Sequence, residues 1–356
     1  MNFKSITEIL ASHKFLNIAG DSKDVYSLFL SGFSPSIFQF SGIELDLYDK
    51  NLIADLLLEL KPSTLSWSPQ IFKYGFNLPR HSSDIILSIL SSSQCNVNIR
   101  NIWLEYDWSS FNNNDFALIT PSIFVGTKNM ENNISDEFSA LNTLNHIFPS
   151  VPFKNITWIL EKANKYGLKL TQAGYMQSRK IPSTRLVFTH TDFQSITFFL
   201  KSIYLPMLHD KHFDTFLRLV QPTLLAVGLD INDSGNLNLV YGVEVYKPWM
   251  DKAEWLTMLN AIKAIYGHSI KLDDLSNLFM DKLSLPPHVH NNPYHYIKDE
   301  HKVFAIQSYM SIHHIKFSFS PHTFLSNGPK IKAYIGFLFP QLLEHQDQLY
   351  LSESFS

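Results

Sequence analysis

Residues 209–267 read HDKHFDTFLRLVQPTLLAVGLDINDSGNLNLVYGVEVYKPWMDKAEWLTMLNAIKAIYG, and their periodicities identify the class of fold. A helical pattern over 209–221 gives way to two alternating strands, TLLAVGLDI (223–231) and LNLVYGVEVY (237–246). Between the strands, the polar run from Asn232 through Gly235 predicts a tight turn, because these residues tolerate positive φ. A further helix follows at 251–267. The segment therefore predicts one helix–strand–strand–helix unit.

The same order of periodicities recurs on both sides of this segment, which predicts about five such units. The other predicted helices are 5–14, 22–31, 50–61, 82–93, 135–148, 152–167 and 193–204. The other predicted strands are 38–48, 66–76, 99–108, 116–127, 168–177, 184–190, 313–321 and 330–339, of which 66–76 is the least well defined. Pairs of strands joined by short turns predict antiparallel neighbours.

About ten antiparallel strands are too many to stay open and flat, so the sequence predicts closure into a barrel. We therefore expect an α/β fold in which an antiparallel barrel of about ten strands is surrounded by helices, with residues 1–356 forming a single domain. Alternation along the strands assigns the two faces, because successive side chains point to opposite sides. The apolar sets expected beneath the helices are Ile43, Leu45 and Leu47; Ile102, Leu104 and Tyr106; and Ile331, Ala333 and Ile335. The polar sets expected to line the lumen are Glu44, Asp46 and Tyr48; Trp103, Glu105 and Asp107; and Lys330, Lys332 and Tyr334.

Charge and cysteine content exclude several function classes. The chain has 29 basic and 32 acidic residues, a net charge of −3, and lacks any run of five like charges, so no nucleic-acid partner is predicted. Cys95 is the only cysteine, which excludes an intramolecular disulfide and a cysteine-based zinc site. The motifs of P-loop NTPases, dinucleotide-binding enzymes, serine hydrolases and zinc peptidases are absent from the sequence.

The sequence also bears on location in the cell. No window approaches about 18 consecutive apolar residues, so no membrane span is predicted. The N-terminal residues 1–15 lack the apolar core of a signal peptide. The expected location is the cytoplasm.

Residues 284–302 follow neither periodicity and include three prolines within SLPPHVHNNPYHYIKDEH (284–301). This pattern predicts an irregular loop or lid over one mouth of the barrel. His288, His290 and His295 within it have a spacing suited to zinc or iron, with His301 nearby. Surface histidines on a lid are the preferred interpretation, because nothing around them predicts a firm scaffold, and no metal site is predicted.

The order of elements resembles that of the ABBA-type aromatic prenyltransferases, closest in manner to those that modify cyanobactin-type peptides. Ser41-Gly42-Ile43-Glu44-Leu45 resembles the first-strand segment of that family, in which a lumen glutamate contacts the nucleophilic acceptor. The resemblance implies this role for Glu44; the alternative is an ordinary polar position on a strand. Lys330-Ile331-Lys332-Ala333-Tyr334 resembles the basic and phenolic pattern that binds the diphosphate, and the alternative is a solvated strand end.

The sequence departs from the family in its balance of charge. Members repeat basic patterns on three or four strands, whereas here only Arg185 and Lys316 add cations and Tyr246 adds a phenol. Several carboxylates are expected in the lumen, and without cations they would repel a diphosphate. They are Glu44, Asp46, Glu105, Asp107, Asp230 and Glu244. This departure favours an architecture of the family without its full diphosphate site.

Two readings of function follow. The resemblance implies transfer of an isoprenoid from an allylic diphosphate to an aromatic or peptide acceptor, with no tightly bound cofactor and with Mg²⁺ left open as a companion of the diphosphate. The alternative keeps the barrel but assigns it another tailoring step on a peptide, or binding of a peptide or small molecule. His314 enters here as a candidate lumen base, against the alternative of a structural histidine.

Overall fold

The computed structural model describes the ten barrel strands and much of the helical layer. The described residues are 38–49, 54–60, 99–107, 120–127, 140–142, 144–145, 153–179, 181–205, 211–247, 252–280, 295–299, 302–306, 309–320, 328–338, 342–345 and 348–351. The predicted helices 5–14, 22–31 and 82–93, the predicted strand 66–76, Cys95, His288, His290 and His301 lie outside them.

Ten antiparallel strands close into a barrel, which confirms the predicted fold class. Its strands are β1 (Phe38–Asp46), β2 (Ala54–Leu60), β3 (Ile99–Tyr106), β4 (Ser122–Thr127), β5 (Lys169–Tyr175), β6 (Ser183–His190), β7 (Leu224–Asn232), β8 (Leu237–Tyr246), β11 (Tyr309–Phe319) and β12 (Lys330–Leu338). Around the barrel they follow the order β1-β12-β11-β8-β7-β6-β5-β4-β3-β2, with β2 again beside β1. Two short hairpins, β9–β10 (His295–Asp299, Lys302–Ile306) and β13–β14 (Leu342–His345, Gln348–Leu351), lie outside this sheet.

The structure corrects two predicted elements. The segment predicted as a helix over 50–61 contains strand β2 instead, because Leu56, Leu58 and Leu60 supply a period of two. Apolar Leu57 interrupts that alternation and makes the run look helical. The loop predicted over 284–302 contains a strand at 295–299 that pairs with 302–306; its function as a lid stays a prediction.

Five helices are described over most of their length: α1 (Phe153–Lys165), α2 (Phe193–Ser202), α3 (Lys211–Val220), α4 (Lys252–Tyr266) and α5 (Ile270–Met280). They pack on the outer face of the barrel. For example, the ring of Phe213 in α3 lies 4.8 Å from that of Phe317 in β11, centroid to centroid. The predicted outward sets, including Ile43, Leu104 and Ile335, all belong to this continuous apolar core. Within the described part of the chain, no helix is long and apolar enough to cross a membrane.

Local sequence signals set the ends of these elements. In the β7–β8 hairpin, Gly235 has φ +80° and its N–H donates to the carbonyl of Asn232 at 2.8 Å, as the turn residues predict. Asp192 caps α2, because its carboxylate accepts hydrogen bonds from the N–H groups of Gln194 and Ser195 at 3.1 and 2.8 Å. These signals fix where the strands stop and therefore which residues reach each mouth.

Candidate active site in the barrel lumen

The register of the strands identifies the lumen face. Directly opposed residues on antiparallel neighbours project to the same side, and Glu44 on β1 opposes Tyr334 on β12, which opposes His314 on β11. One step along, Asp46 opposes Lys332, which opposes Lys316. The residues predicted for the lumen lie on this face or at its rim: Glu44, Asp46, Trp103, Glu105, Asp107, Arg185, Asp230, Glu244, Tyr246, His314, Lys316, Lys330, Lys332 and Tyr334.

Glu44 and Lys332 form one charged pair of the lumen wall. Glu44 is only 3% exposed, and its carboxylate Oε1 contacts the ammonium of Lys332. The same ammonium lies 3.8 Å from Oδ2 of Asp55. Burial and the nearby Glu105 raise the pKa of Glu44, and burial lowers the pKa of Lys332 to about 8. Both shifts favour the neutral forms of the two groups, and the contact between carboxylate and ammonium opposes that tendency.

Arg185 and Asp230 form the second pair. Nε and Nη2 of Arg185 donate to the two carboxylate oxygens of Asp230 at 2.6 and 2.9 Å, the bidentate geometry that suits guanidinium and carboxylate. Burial alone would raise the pKa of Asp230, but Arg185 outweighs it and the pKa is lowered. Arg179, in the β5–β6 turn, lies 3.6 Å from Asp230 and 3.9 Å from Glu105. It thereby connects β7 to β3 across the mouth.

Lys316 has no such carboxylate partner. Its ammonium is buried, and its hydrogen bond is to the hydroxyl of Tyr334 at 3.5 Å. Among the residues that the structure describes, no carboxylate oxygen lies within 4 Å of it. Burial and the neighbouring Arg185 lower the pKa of Lys316, against the opposite influence of the carboxylates of Glu244, Glu44 and Glu105. An ammonium placed in this way gains most from a bound anion.

Two histidines stand together beside Lys316. A β-bulge between Ile312 and His314 interrupts the alternation of β11, and the Nδ1 atoms of His313 and His314 lie 2.8 Å apart. The ring of His314 stacks on Tyr334 with centroids 3.9 Å apart. Its Nε2 lies 3.8 Å from Glu244, whose carboxylate accepts a hydrogen bond from Tyr246 at 2.7 Å. Burial and Lys316 lower the pKa of His314 well below its ordinary value.

Another part of the lumen face is apolar. Leu57, Phe124, Val187 and Ala226 are buried and share the face of the charged residues by strand register. Gly174, opposite Phe124, leaves room for that ring, because a Cβ at this glycine would come within 2.1 Å of it. The lumen face of the barrel, with its charged and apolar side chains, is called the chamber below. It offers an apolar surface beside its charges.

At the rim, the predicted residues make different contacts. Lys330 is exposed and its ammonium lies 2.8 Å from Asp46. Asp107 follows β3 and accepts a hydrogen bond from Ser178 in the β5–β6 turn. Trp103 lies deeper, with its ring 6.1 Å from that of His313.

Sequence reasoning missed several residues of the chamber. Asp55 and Glu59 lie on β2, which was predicted as a helix, although the alternating leucines of that segment carried the signal. Regular alternation that places His314 in the lumen would turn His313 to the opposite face, because a bulge cannot be read from a period of two. Arg179 was missed because it lies in a turn, and its neighbour Ser178 for the same reason.

The donor set of the lumen bears on metals. Within the described residues, no group of three or more histidine, cysteine, aspartate or glutamate side chains is placed to hold a metal ion. The cations and phenols near Tyr334 are instead donors suited to an anionic oxygen ligand.

Comparison with known proteins gives a likeness of fold. No protein-family model and no curated protein matches the chain. Among solved structures, 6-dimethylallyltryptophan synthase from Micromonospora olivasterospora, in complex with DMASPP and Trp, superposes with a TM-score of 0.51 at 12% identity, covering 90% of this chain and 94% of that one. AnaPT from Neosartorya fischeri gives a TM-score of 0.48 at 10% identity, over 85% of this chain and 79% of its own. The first likeness shows that the chain shares the ten-stranded barrel fold of an ABBA-type prenyltransferase, as the sequence predicted.

Proposed function

We propose that the barrel transfers an isoprenoid from an allylic diphosphate to an aromatic acceptor, either free or within a peptide. One observation carries the proposal. Glu44, Tyr334 and His314 lie in direct register on three adjacent strands, so a buried carboxylate stands beside a phenol and the buried ammonium of Lys316. These are the two kinds of group that the reaction requires in one chamber.

The cationic side would hold the leaving group. Breaking the allylic C–O bond places negative charge on the diphosphate, and fixed donors stabilise that charge most effectively where water is excluded. Lys316 and the Tyr334 hydroxyl supply such donors. Lys332, which opposes Lys316 on the next strand, adds positive charge although Glu44 contacts its ammonium. Arg185 supports this side indirectly, because Asp230 already occupies its guanidinium.

The acidic side would orient the acceptor. Glu44 contacts the ammonium of Lys332, and the ionised carboxylate held in this position can accept a hydrogen bond from an indole N–H or a phenol O–H. That hydrogen bond raises the electron density of the ring as the allylic cation forms. Leu57 and Phe124 give apolar surface for the isoprenoid and the ring. The first solved structure named above holds DMASPP and Trp, which supports testing an indole acceptor first.

The test is product formation. The protein is incubated with dimethylallyl diphosphate and L-tryptophan, or a short tryptophan-containing peptide, with and without Mg²⁺, and products are analysed by mass spectrometry. We expect a mass gain of one dimethylallyl group, reduced about 100-fold in Glu44→Gln. Asp273→Asn makes the same carboxylate-to-amide change on exposed helix α5 and is expected to retain activity. Equal activity in both variants would remove Glu44 from the proposal.

A second function is favoured by the pairing of the lumen charges. Glu44 and Asp230 occupy Lys332 and Arg185, so fewer cations stay available for a diphosphate than the barrel contains. A chamber with balanced charge suits a zwitterionic or peptide ligand that undergoes another tailoring step, or none. Binding of a peptide without any binding of dimethylallyl diphosphate would favour this second function over the first.

A further inference from the structure

The imidazole of His314 has a feature that the proposed transfer does not use. Its Nε2 is buried and makes no hydrogen bond within the described part of the chain, whereas Nδ1 is engaged with Nδ1 of His313 at 2.8 Å. Leaving a buried polar atom unsatisfied is costly, so such an atom calls for an explanation. A nitrogen that meets its partner only when a substrate is bound is one explanation.

The surroundings of His314 fit a proton acceptor. The carboxylate of Glu244 lies 3.8 Å from Nε2 and would stabilise an imidazolium. The Tyr246 hydroxyl orients that carboxylate through a 2.7 Å hydrogen bond. The ring is held flat against Tyr334. The positive charge of Lys316 on the same strand opposes protonation of His314. A bound diphosphate would neutralise that charge.

Glu44 and His314 share the lumen face of the sheet. They stand in register on β1 and β11 with Tyr334 of β12 between them, so their backbones lie roughly 10 Å apart, twice the spacing of adjacent strands. An acceptor ring that lay across Tyr334 with its N–H toward Glu44 would turn its remote C–H edge toward His314.

We propose that His314 takes the proton that the acceptor ring loses after prenylation. This inference rests on the proposed function. A ring carbon forms a bond to C1 of the isoprenoid as the C–O bond to the diphosphate breaks. The C–H bond at that carbon then returns its electron pair to the ring, and its proton moves to Nε2 of His314. The imidazolium so formed donates its Nδ1–H to His313 and releases the added proton to water as product leaves.

The proposal requires one tautomer of the resting protein. Nδ1 of His314 must carry the hydrogen and Nε2 must be bare, with Nδ1 of His313 as the acceptor. Nitrogen NMR of histidine-labelled protein at pH 7, with His314→Phe used to assign the signals, is expected to show an unprotonated Nε2. A hydrogen on Nε2 would overturn the proposal, whether or not the protein has transferase activity.

Kinetics supply the second arm. His314→Phe keeps a ring on Tyr334 but removes the base, so we expect kcat to fall about 100-fold or more. With ring-deuterated L-tryptophan, free or within a Gly-Trp-Gly peptide, the variant should show a primary isotope effect that the unmodified protein lacks, because loss of the ring proton becomes rate-limiting. Its affinity for dimethylallyl diphosphate should stay unchanged. His268→Gln, an exposed histidine beyond α4, is the matched control.

The possible outcomes separate the two claims. Normal turnover by His314→Phe without an isotope effect would overturn the assignment of His314 and leave the proposed function intact. An equal loss of diphosphate binding and turnover would show a structural role and would also overturn it. Failure of the unmodified protein to modify either acceptor would count against the proposed function and, with it, against this assignment.

Discussion

Arg185 and Lys316 are both cations buried in the wall of the same barrel, but their surroundings differ. Arg185 directs two nitrogens at Asp230, at 2.6 and 2.9 Å. Lys316 has the Tyr334 hydroxyl at 3.5 Å, and no carboxylate within 4 Å among the described residues. A buried charge that is already paired stabilises the fold or costs it little, whereas an unpaired one is stabilised by an incoming counter-ion. The first region is therefore a structural brace and the second a site for an anion.

The largest expected effect tests the brace. Asp230→Asn leaves the guanidinium of Arg185 buried without its counter-charge, which should lower the free energy of unfolding by about 3–5 kcal/mol. Urea denaturation followed by circular dichroism measures this. Asp273→Asn removes an exposed carboxylate of α5 that pairs with Lys263 and His268, and should lower the free energy of unfolding by no more than about 1 kcal/mol. Unaltered stability of Asp230→Asn would mean that the pair does not brace the barrel.

The next effect concerns pH and the anion site. Burial lowers the pKa of Lys332 to about 8, so Lys332 loses its charge in the free protein as pH rises through 8. Above that pH, Lys332 must be protonated again when diphosphate binds, and this weakens binding. Affinity for dimethylallyl diphosphate should therefore fall by up to about tenfold per pH unit above pH 8. Titration calorimetry at a series of pH values tests this.

The matched variant for the pH series is Lys332→Gln. Its affinity should be lower below pH 7 and should fall less steeply above pH 8, since one titrating ammonium is gone. The pKa of Lys316 is also lowered, by burial and by Arg185. Loss of its charge accounts for the pH dependence of diphosphate affinity that is still expected in Lys332→Gln. Identical slopes in the two proteins would show that Lys332 does not contact the diphosphate.

A smaller effect compares two glycines that oppose each other, Gly228 on β7 and Gly242 on β8. A Cβ at Gly242 would come within 2.7 Å of Cε of Lys316, whereas a Cβ at Gly228 would meet Cδ of Arg185 at 3.8 Å, an ordinary contact. Gly242→Ala should shift the end of the flexible Lys316 side chain and weaken diphosphate binding a few-fold. Gly228→Ala should leave it unaltered, and similar losses in both would contradict the comparison.

The smallest effect is expected at the rim. Lys330 is exposed and paired with Asp46 at 2.8 Å, and exposed ion pairs contribute about 0–1 kcal/mol. Lys330→Gln should lower the free energy of unfolding by no more than about 1 kcal/mol. It should change the affinity for diphosphate by less than a few-fold. A large loss of affinity would extend the anion site outward to the rim of the barrel.

Much of the fold can be predicted from the alternation of apolar and polar residues in the sequence. Fewer of the contacts within the chamber can be predicted in this way. The period of two in the sequence predicts both faces of β1, β3 and β12. In such strands a shift of register by one residue would move the apolar side chains from the core to the lumen, so the alternation specifies the register. The same rule failed at β2, where Leu57 faces the lumen, and at β11, where a bulge brings His313 beside His314. Neither the orientation of Leu57 nor the bulge in β11 can be predicted from the residues on either side of it.

Pairing across the lumen was also beyond the sequence. The list of lumen carboxylates suggested repulsion of a diphosphate, but Glu44 contacts Lys332 and Asp230 contacts Arg185 from neighbouring strands. Which cation meets which carboxylate depends on strand order and register around a closed barrel, and these are set by contacts between residues far apart in the chain. Arg179, in a turn, joins this network for the same reason.

Calorimetric titration of the thio analogue of dimethylallyl diphosphate into the unmodified protein and into Lys316→Gln tests the anion site most directly. We expect micromolar binding by the unmodified protein and about 100-fold weaker binding by the variant, as for loss of one member of a buried charge pair, with Lys263→Gln on exposed α4 unaffected. Absence of heat from the unmodified protein at millimolar ligand, or equal affinity in Lys316→Gln, would contradict the assignment of this region of the barrel to an anion.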